Sequence, residues 1–262
     1  DWSSDVCSSD LALLTQVMGQ QATTDGALLA SAVAAQGALV LAYVRQRRGE
    51  LVRPGLAFGF WAALGLATLI KGPVILAVSA LTAITLSVAD KDWRWLRLLR
   101  PLPGIVLMLA IASPWFIAIQ LATDGGFVRD AVGNDLLPKL IGGQESHGAP
   151  PGYYLALVSL TFLPASLVLW PALREAWSDR LDAPTRALLA WAIPAWLLFE
   201  AVPTKLPHYV LPMFPALAML AARLLVRSAD GERTALDSAW AKVFALPWLI
   251  GSIALAAAPV SI

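Results

Sequence analysis

The stretch EAVPTKLPHYVLPMFPAL, residues 200–217, packs Glu200, Lys205, His208 and Tyr209 into ten positions and threads them with Pro203, Pro207, Pro212 and Pro215. An ammonium and a phenol at a membrane edge are donors suited to an anion such as a phosphate, and prolines in a membrane helix shape cavities where neighbours re-satisfy the backbone. Two shorter stretches carry related groups: TTDGALL holds Asp25, and LIKGPV holds Lys71 beside a Gly-Pro break. A longer one, TDGGFVRDAVGNDLLPKLIGGQESHGAPPGYY, holds Arg129, Lys139, His147 and Tyr153.

Each of these residues also has a plainer use. Asp25 can cap the helix it precedes. Lys71 can snorkel, pair with Asp25 or meet an anion. Arg129 and Lys139 can anchor an interfacial helix on headgroups, and Tyr153 and Tyr154 suit an aromatic belt. His147 has no ligand-type partner three or four residues away, so no metal site and no cofactor is expected. Asp130, Asp135 and Glu145 are carboxylates of the same stretch without an assigned catalytic role. Taken together, the cations, tyrosines and kinks predict a pocket for an anionic, lipid-borne ligand.

The elements that must position these groups are membrane helices. Hydrophobic residues make up 58% of the 262 and charged ones 14%, against about 25% in a soluble domain, and the mean hydropathy is +0.67. Apolar runs long enough to approach or cross roughly 30 Å of hydrocarbon fall at 26–44, 54–70, 74–89, 102–122, 153–170, 185–202, 207–226 and 241–262. The runs are continuous, not alternating, which excludes a membrane β-barrel. The expected fold is therefore all-α, a polytopic transmembrane bundle of about eight spans. The single cysteine, Cys7, forms no internal disulfide.

If the spans alternate, fifteen of the nineteen Lys and Arg residues fall on one side, and only Lys71, Arg129, Lys139 and Lys205 on the other. The basic side is expected to be cytoplasmic, which puts residues 123–151 and both histidines, His147 and His208, outside. Short basic loops explained by topology argue against nucleic-acid binding. Within the outer loop, Val128, Val132, Leu136 and Leu140 recur at every fourth residue and predict an amphipathic interfacial helix, broken near Pro138.

Residues 1–10, DWSSDVCSSD, lack the basic and apolar regions of a signal peptide and are read as a non-native leader. Residues 11–262 are expected to be a partial membrane domain truncated at both ends.

The combination of TTD, LIKGP, SPWF, GGQESHGAPPGYY and TKLPHYVLPMFPAL resembles the ArnT-type (aminoarabinose transferase) and protein O-mannosyltransferase-like superfamily of integral-membrane glycosyltransferases, over nearly all of residues 11–226. The resemblance implies a GT-C fold in the bacterial inner membrane. It implies an enzyme that moves a sugar from polyprenyl (undecaprenyl) phosphate to lipid A or another lipid or protein acceptor at the periplasmic face. It also implies that Lys139 and Tyr209 bind the lipid phosphate, with Lys71 and Asp25 at polar positions near the cavity and His147 in the loop. The family's presumed aspartate base lies in an earlier outer loop, so no catalytic base is assigned here and this chain alone is expected to be inactive. A transporter or flippase of a lipid-linked sugar is the alternative, since kinked helices around a charged cavity also serve passage.

Overall fold

The computed structural model describes residues 24–130 and 149–238, which form a helical bundle. Helices α1 (Asp25–Arg47), α2 (Pro54–Lys71) and α3 (Val74–Asp90) are followed by a 3-10 turn over Arg94–Leu99, then α4 (Pro101–Ala122) and the short α5 (Gly126–Asp130). After the undescribed stretch come α6 (Tyr153–Thr161), α7 (Ser166–Ser178) and α8 (Ala183–Ala201). A 3-10 segment over Pro207–Met213 then leads into α9 (Phe214–Ala229), and a last 3-10 turn covers Ala235–Asp237. Proline starts α2 and α4, where its missing N–H costs nothing and its fixed φ favours the helix. Asp182 caps α8 by accepting from the Thr185 backbone at 3.2 Å and hydroxyl at 2.8 Å.

The helical architecture matches the expectation; the span count does not carry over whole. Among the described residues four segments are long and apolar enough to cross a membrane: α1, α2, α4 and Pro207–Ala229. Helix α3 is apolar but shorter. The run at 153–170 is two helices, Tyr153–Thr161 and one that starts at Ser166, with the cis Leu163–Pro164 bond between them. The Ser166 hydroxyl returns to the Ser159 carbonyl at 2.7 Å across that break. The run at 207–226 begins as 3-10 helix, where Pro207 and Pro212 withhold two N–H donors. The eighth run, 241–262, and most of the expected interfacial helix lie outside the described residues; α5 is the part described.

Small residues set the packing. Leu28, Ala32, Ala35, Leu39 and Ala42 form one stripe of α1, and Ala57, Phe60, Leu64 and Ala67 one stripe of α2, all buried. Such stripes let backbones approach where lipid supplies no hydrophobic drive. Helix α8 is central: it packs on α1, α3 and α9 and touches α7. Its Trp191 is buried and donates to the Pro212 carbonyl at 2.9 Å, tying α8 to the 3-10 segment. Helix α4 is peripheral and packs chiefly on α2. There a Cβ on Gly104 would stand 1.9 Å from Trp61, whose indole donates to the Leu99 carbonyl at 2.7 Å.

Ion pairs show that helix ends alternate. At one end Asp90 of α3 meets Arg186 of α8, Arg47 of α1 at 3.7 Å and the Tyr43 hydroxyl at 2.7 Å. At the opposite end Asp25 of α1 meets Lys71 of α2. The first end carries the arginine-rich connections; the second carries the predicted site.

Candidate functional site

Four of the predicted residues converge at that second end. The Lys71 ammonium, at the last turn of α2, donates to the Asp25 carboxylate in the first turn of α1. Asp25 is 9% exposed at its side chain and Lys71 34%, so the carboxylate is enclosed while the ammonium reaches the surface. Of the roles open to Lys71, the pairing with Asp25 is the one made here. His208, half-buried on the 3-10 segment, lies within the electrostatic field of both partners. Its ring meets Tyr209 edge-on at 5.1 Å, and Tyr209 packs against Phe199 at 6.3 Å. A carboxylate, an ammonium, an imidazole and a phenol thus line one rim from α1, α2 and the KLPHY segment.

A second cluster stands beside it and is built on the backbone. Glu200, at the end of α8, accepts from the Gly152 N–H and the Leu155 N–H, each at 2.9 Å, one bond per oxygen. Those donors belong to the start of α6, where an unpaired N–H and the helix dipole favour a carboxylate. Lys205 turns back on the same corner. It is 3% exposed and donates to the carbonyls of Phe199 at 3.3 Å, Glu200 at 2.7 Å and Val202 at 2.6 Å. An ammonium has three donors, and all three are spent on carbonyls in the last turn of α8 and at Val202 just past it. Its charge also lies 5.7 Å over the Tyr154 ring, which stacks edge-on with Tyr153 at 5.2 Å.

The remaining predicted residues divide. Tyr153 is half-buried at the start of α6, beside this corner, and Arg129 is exposed on α5. Lys139 and His147 lie outside the described residues. Glu200 and Tyr154 complete the corner without having been singled out as binding groups; the position of an acid at the last turn of an apolar run was the available signal for Glu200.

Below the Glu200 corner an apolar groove of about 140 Å³ opens between α6, α7, α8 and α9. Leu155, Trp170, Ile193, Trp196 and Leu197 line it, and Leu155, Trp170 and Leu197 are exposed toward the bundle's outside. An amphiphile whose head sat at the rim and whose chain lay in the groove would meet matching chemistry at both ends.

No protein-family model matches the chain. Curated relatives do. The undecaprenyl phosphate-alpha-4-amino-4-deoxy-L-arabinose arabinosyl transferase of Aeromonas hydrophila subsp. hydrophila is 32% identical over 228 residues, 85% of this chain and 41% of that protein. The transferase of the same name from Enterobacter sp. (strain 638) is 29% identical over 229 residues, 87% and 41% of the two chains. The crystal structure of ArnT from Cupriavidus metallidurans bound to undecaprenyl phosphate superposes with a TM-score of 0.72 at 24% identity, covering 97% of this chain and 47% of that one. Its apo structure gives 0.70 at 23%. The chain therefore spans about two fifths of the curated relatives just named. By sequence over most of its length, and by fold, the chain is a relative of the ArnT-type integral-membrane glycosyltransferases.

Proposed function

We propose that this chain forms part of a membrane glycosyltransferase that takes a sugar from a polyprenyl phosphate and gives it to lipid A or another lipid or protein acceptor at the outer face of the inner membrane. The observation that carries the reading is the likeness to arabinosyl transferases across 85% of the chain. The rim and groove agree with it. In the transfer, the anomeric C–O bond to the carrier phosphate breaks as the bond to the acceptor oxygen forms. The bonding pair stays on the phosphate, whose growing charge calls for donors placed in advance in a water-poor site. Lys139 and Tyr209 hold that phosphate in this proposal. Lys71, set against Asp25, contributes at longer range, and the isoprenoid chain lies along the apolar groove. Lys205 supports the rim from beneath, since its donors are committed to the backbone. The acceptor's proton goes to a base not assigned within this chain.

The test uses the complete protein in membranes supplied with a labelled polyprenyl-phosphate sugar. The expected outcome is conversion to a glycosylated acceptor, depressed at least tenfold by Lys139→Ala. Relocation of the label without conversion overturns the transferase reading; unchanged transfer by the variant overturns the phosphate role of Lys139.

A further inference from the structure

The arginine-rich end of the bundle treats its cations in two ways. At the foot of α7 to α9 they are neutralised within the chain. Arg227 pairs with Glu175 at 2.8 Å and with Asp179 and Glu232 at 2.7 Å, and Arg223 pairs with Asp182 at 2.9 Å. At the foot of α2 to α4 they are not. Arg53, Lys91, Arg94, Arg97 and Arg100 are exposed and make no ion pair among the described residues. Of the acids near them in sequence, Glu50 pairs with Arg48, Asp90 with Arg47 and Arg186, and Asp92 accepts from the Arg94 backbone N–H at 2.9 Å.

This basic strip is held firmly. Trp95 and Leu99, four residues apart in the 3-10 turn, are both buried. The Trp95 indole donates to the Ser87 hydroxyl at 3.0 Å and meets the Tyr43 ring edge-on at 5.4 Å, while the Leu99 carbonyl accepts from Trp61. With those two positions turned inward, Arg94, Arg97 and Leu98 are left outward. Large apolar side chains stand among the cations: Trp93 is 52% exposed, Leu98 38% and Leu102 80%.

Topology alone does not demand this arrangement. The orienting bias counts Lys and Arg and is little affected by acids, so paired cations such as Arg223 and Arg227 serve it equally. Free guanidiniums level with exposed Trp and Leu fit a partner that is anionic at its surface and apolar just beneath. We infer that the strip formed by Lys91, Arg94, Arg97 and Arg100, with Trp93 and Leu98, is a docking surface for anionic phospholipid headgroups. Water-soluble polyanions match the charge and leave the apolar side chains in water.

The purified chain is tested by native mass spectrometry in detergent with equimolar phosphatidylglycerol and phosphatidylcholine. The expected result is preferential retention of phosphatidylglycerol, weakened by salt. Each headgroup contact near the surface contributes about fivefold, so Arg94→Gln/Arg97→Gln/Arg100→Gln together is expected to cut the preference at least tenfold. Arg223→Gln/Arg227→Gln is expected to leave it within about twofold. Equal retention of the two lipids by the unsubstituted chain overturns the inference. So does an unchanged preference in the triple variant, or an equal loss in the Arg223/Arg227 control. Helicity by circular dichroism accompanies each variant; if the triple variant loses it, Arg97→Gln alone is read by the same ratio, with a loss of at least twofold expected and no change overturning the inference.

Discussion

Glu200 and Lys205 lie five residues apart and close the ends of two different helices: the carboxylate takes the first N–H groups of α6, and the ammonium takes the last carbonyls of α8. The corner they make joins the start of α6 to the KLPHY segment. A further backbone bond, from the Ala149 N–H to the Pro203 carbonyl at 3.3 Å, lies in the same corner.

Removing either side chain leaves partly buried backbone groups unpaired, which costs up to about 1–3 kcal/mol. Lys205→Met and Glu200→Ala are each expected to lower unfolding stability in detergent by that amount, with Glu200→Gln falling between Glu200→Ala and the parent. Hydrogen exchange locates the effect: the amides of Gly152 and Leu155 lose protection in the Glu200 variants. Unaltered exchange at those amides refutes the clamp.

The Asp25 carboxylate is enclosed, and Lys71 is its counter-ion. Lys71→Met strands that charge and is expected to destabilise the chain by about 1–3 kcal/mol, less than a fully buried pair because Lys71 is partly exposed. Adding Asp25→Asn removes the stranded charge and recovers most of the loss. A double variant as unstable as the sum of the singles speaks against the pairing.

Burial alone pushes the Asp182 carboxyl up, but the two bonds from Thr185 and the Arg223 guanidinium outweigh it and hold the group below its usual value. A carboxyl lowered on folding stabilises the protein above its unfolded pKa and loses that effect as pH falls through the folded one. Asp182→Asn keeps a capping oxygen and loses the charge. The melting-temperature gap between parent and variant is expected at pH 7 and should close below about pH 4. A gap constant from pH 7 to pH 3 contradicts the charge argument.

Close approach at α4 makes a steric test. Gly104→Ala drives a methyl into the Trp61 indole and is expected to cost about 1–3 kcal/mol. Gly59→Ala, whose Cβ meets open space, is expected to be neutral or to stabilise by up to about 1 kcal/mol. Fluorescence-detected melting of the two variants distinguishes them; equal effects would mean that α4 does not sit against Trp61.

Where the fold was legible in the sequence, the reason is length: unbroken apolar runs such as 26–44, 54–70 and 102–122 have few ways to satisfy their backbone except as helices. Hydropathy is blind to geometry inside a run, so the break between Thr161 and Ser166 and the 3-10 start at Pro207 did not show. Residue type singled out Asp25, Lys71, His208 and Tyr209, which stand at one end of the bundle, but it did not fix what they bind. Partners were harder. Asp25 and Lys71 are 46 residues apart, and pairing stood only as one option among three. Lys205 reads as a free cation until α8 is known to end at Ala201, which places bare carbonyls within its reach.

Helix α4 leans on α2 and little else among the described elements, and its far end carries α5 through the Trp115 and Phe127 rings, 5.2 Å apart. Asp130 therefore stands on a single outlying helix, whereas Ala149 stands against the doubly capped Glu200 corner. Neighbours in the bilayer that press on α4 are met chiefly by α2, whereas a push on the Glu200 corner is shared by α6, α8 and the KLPHY segment.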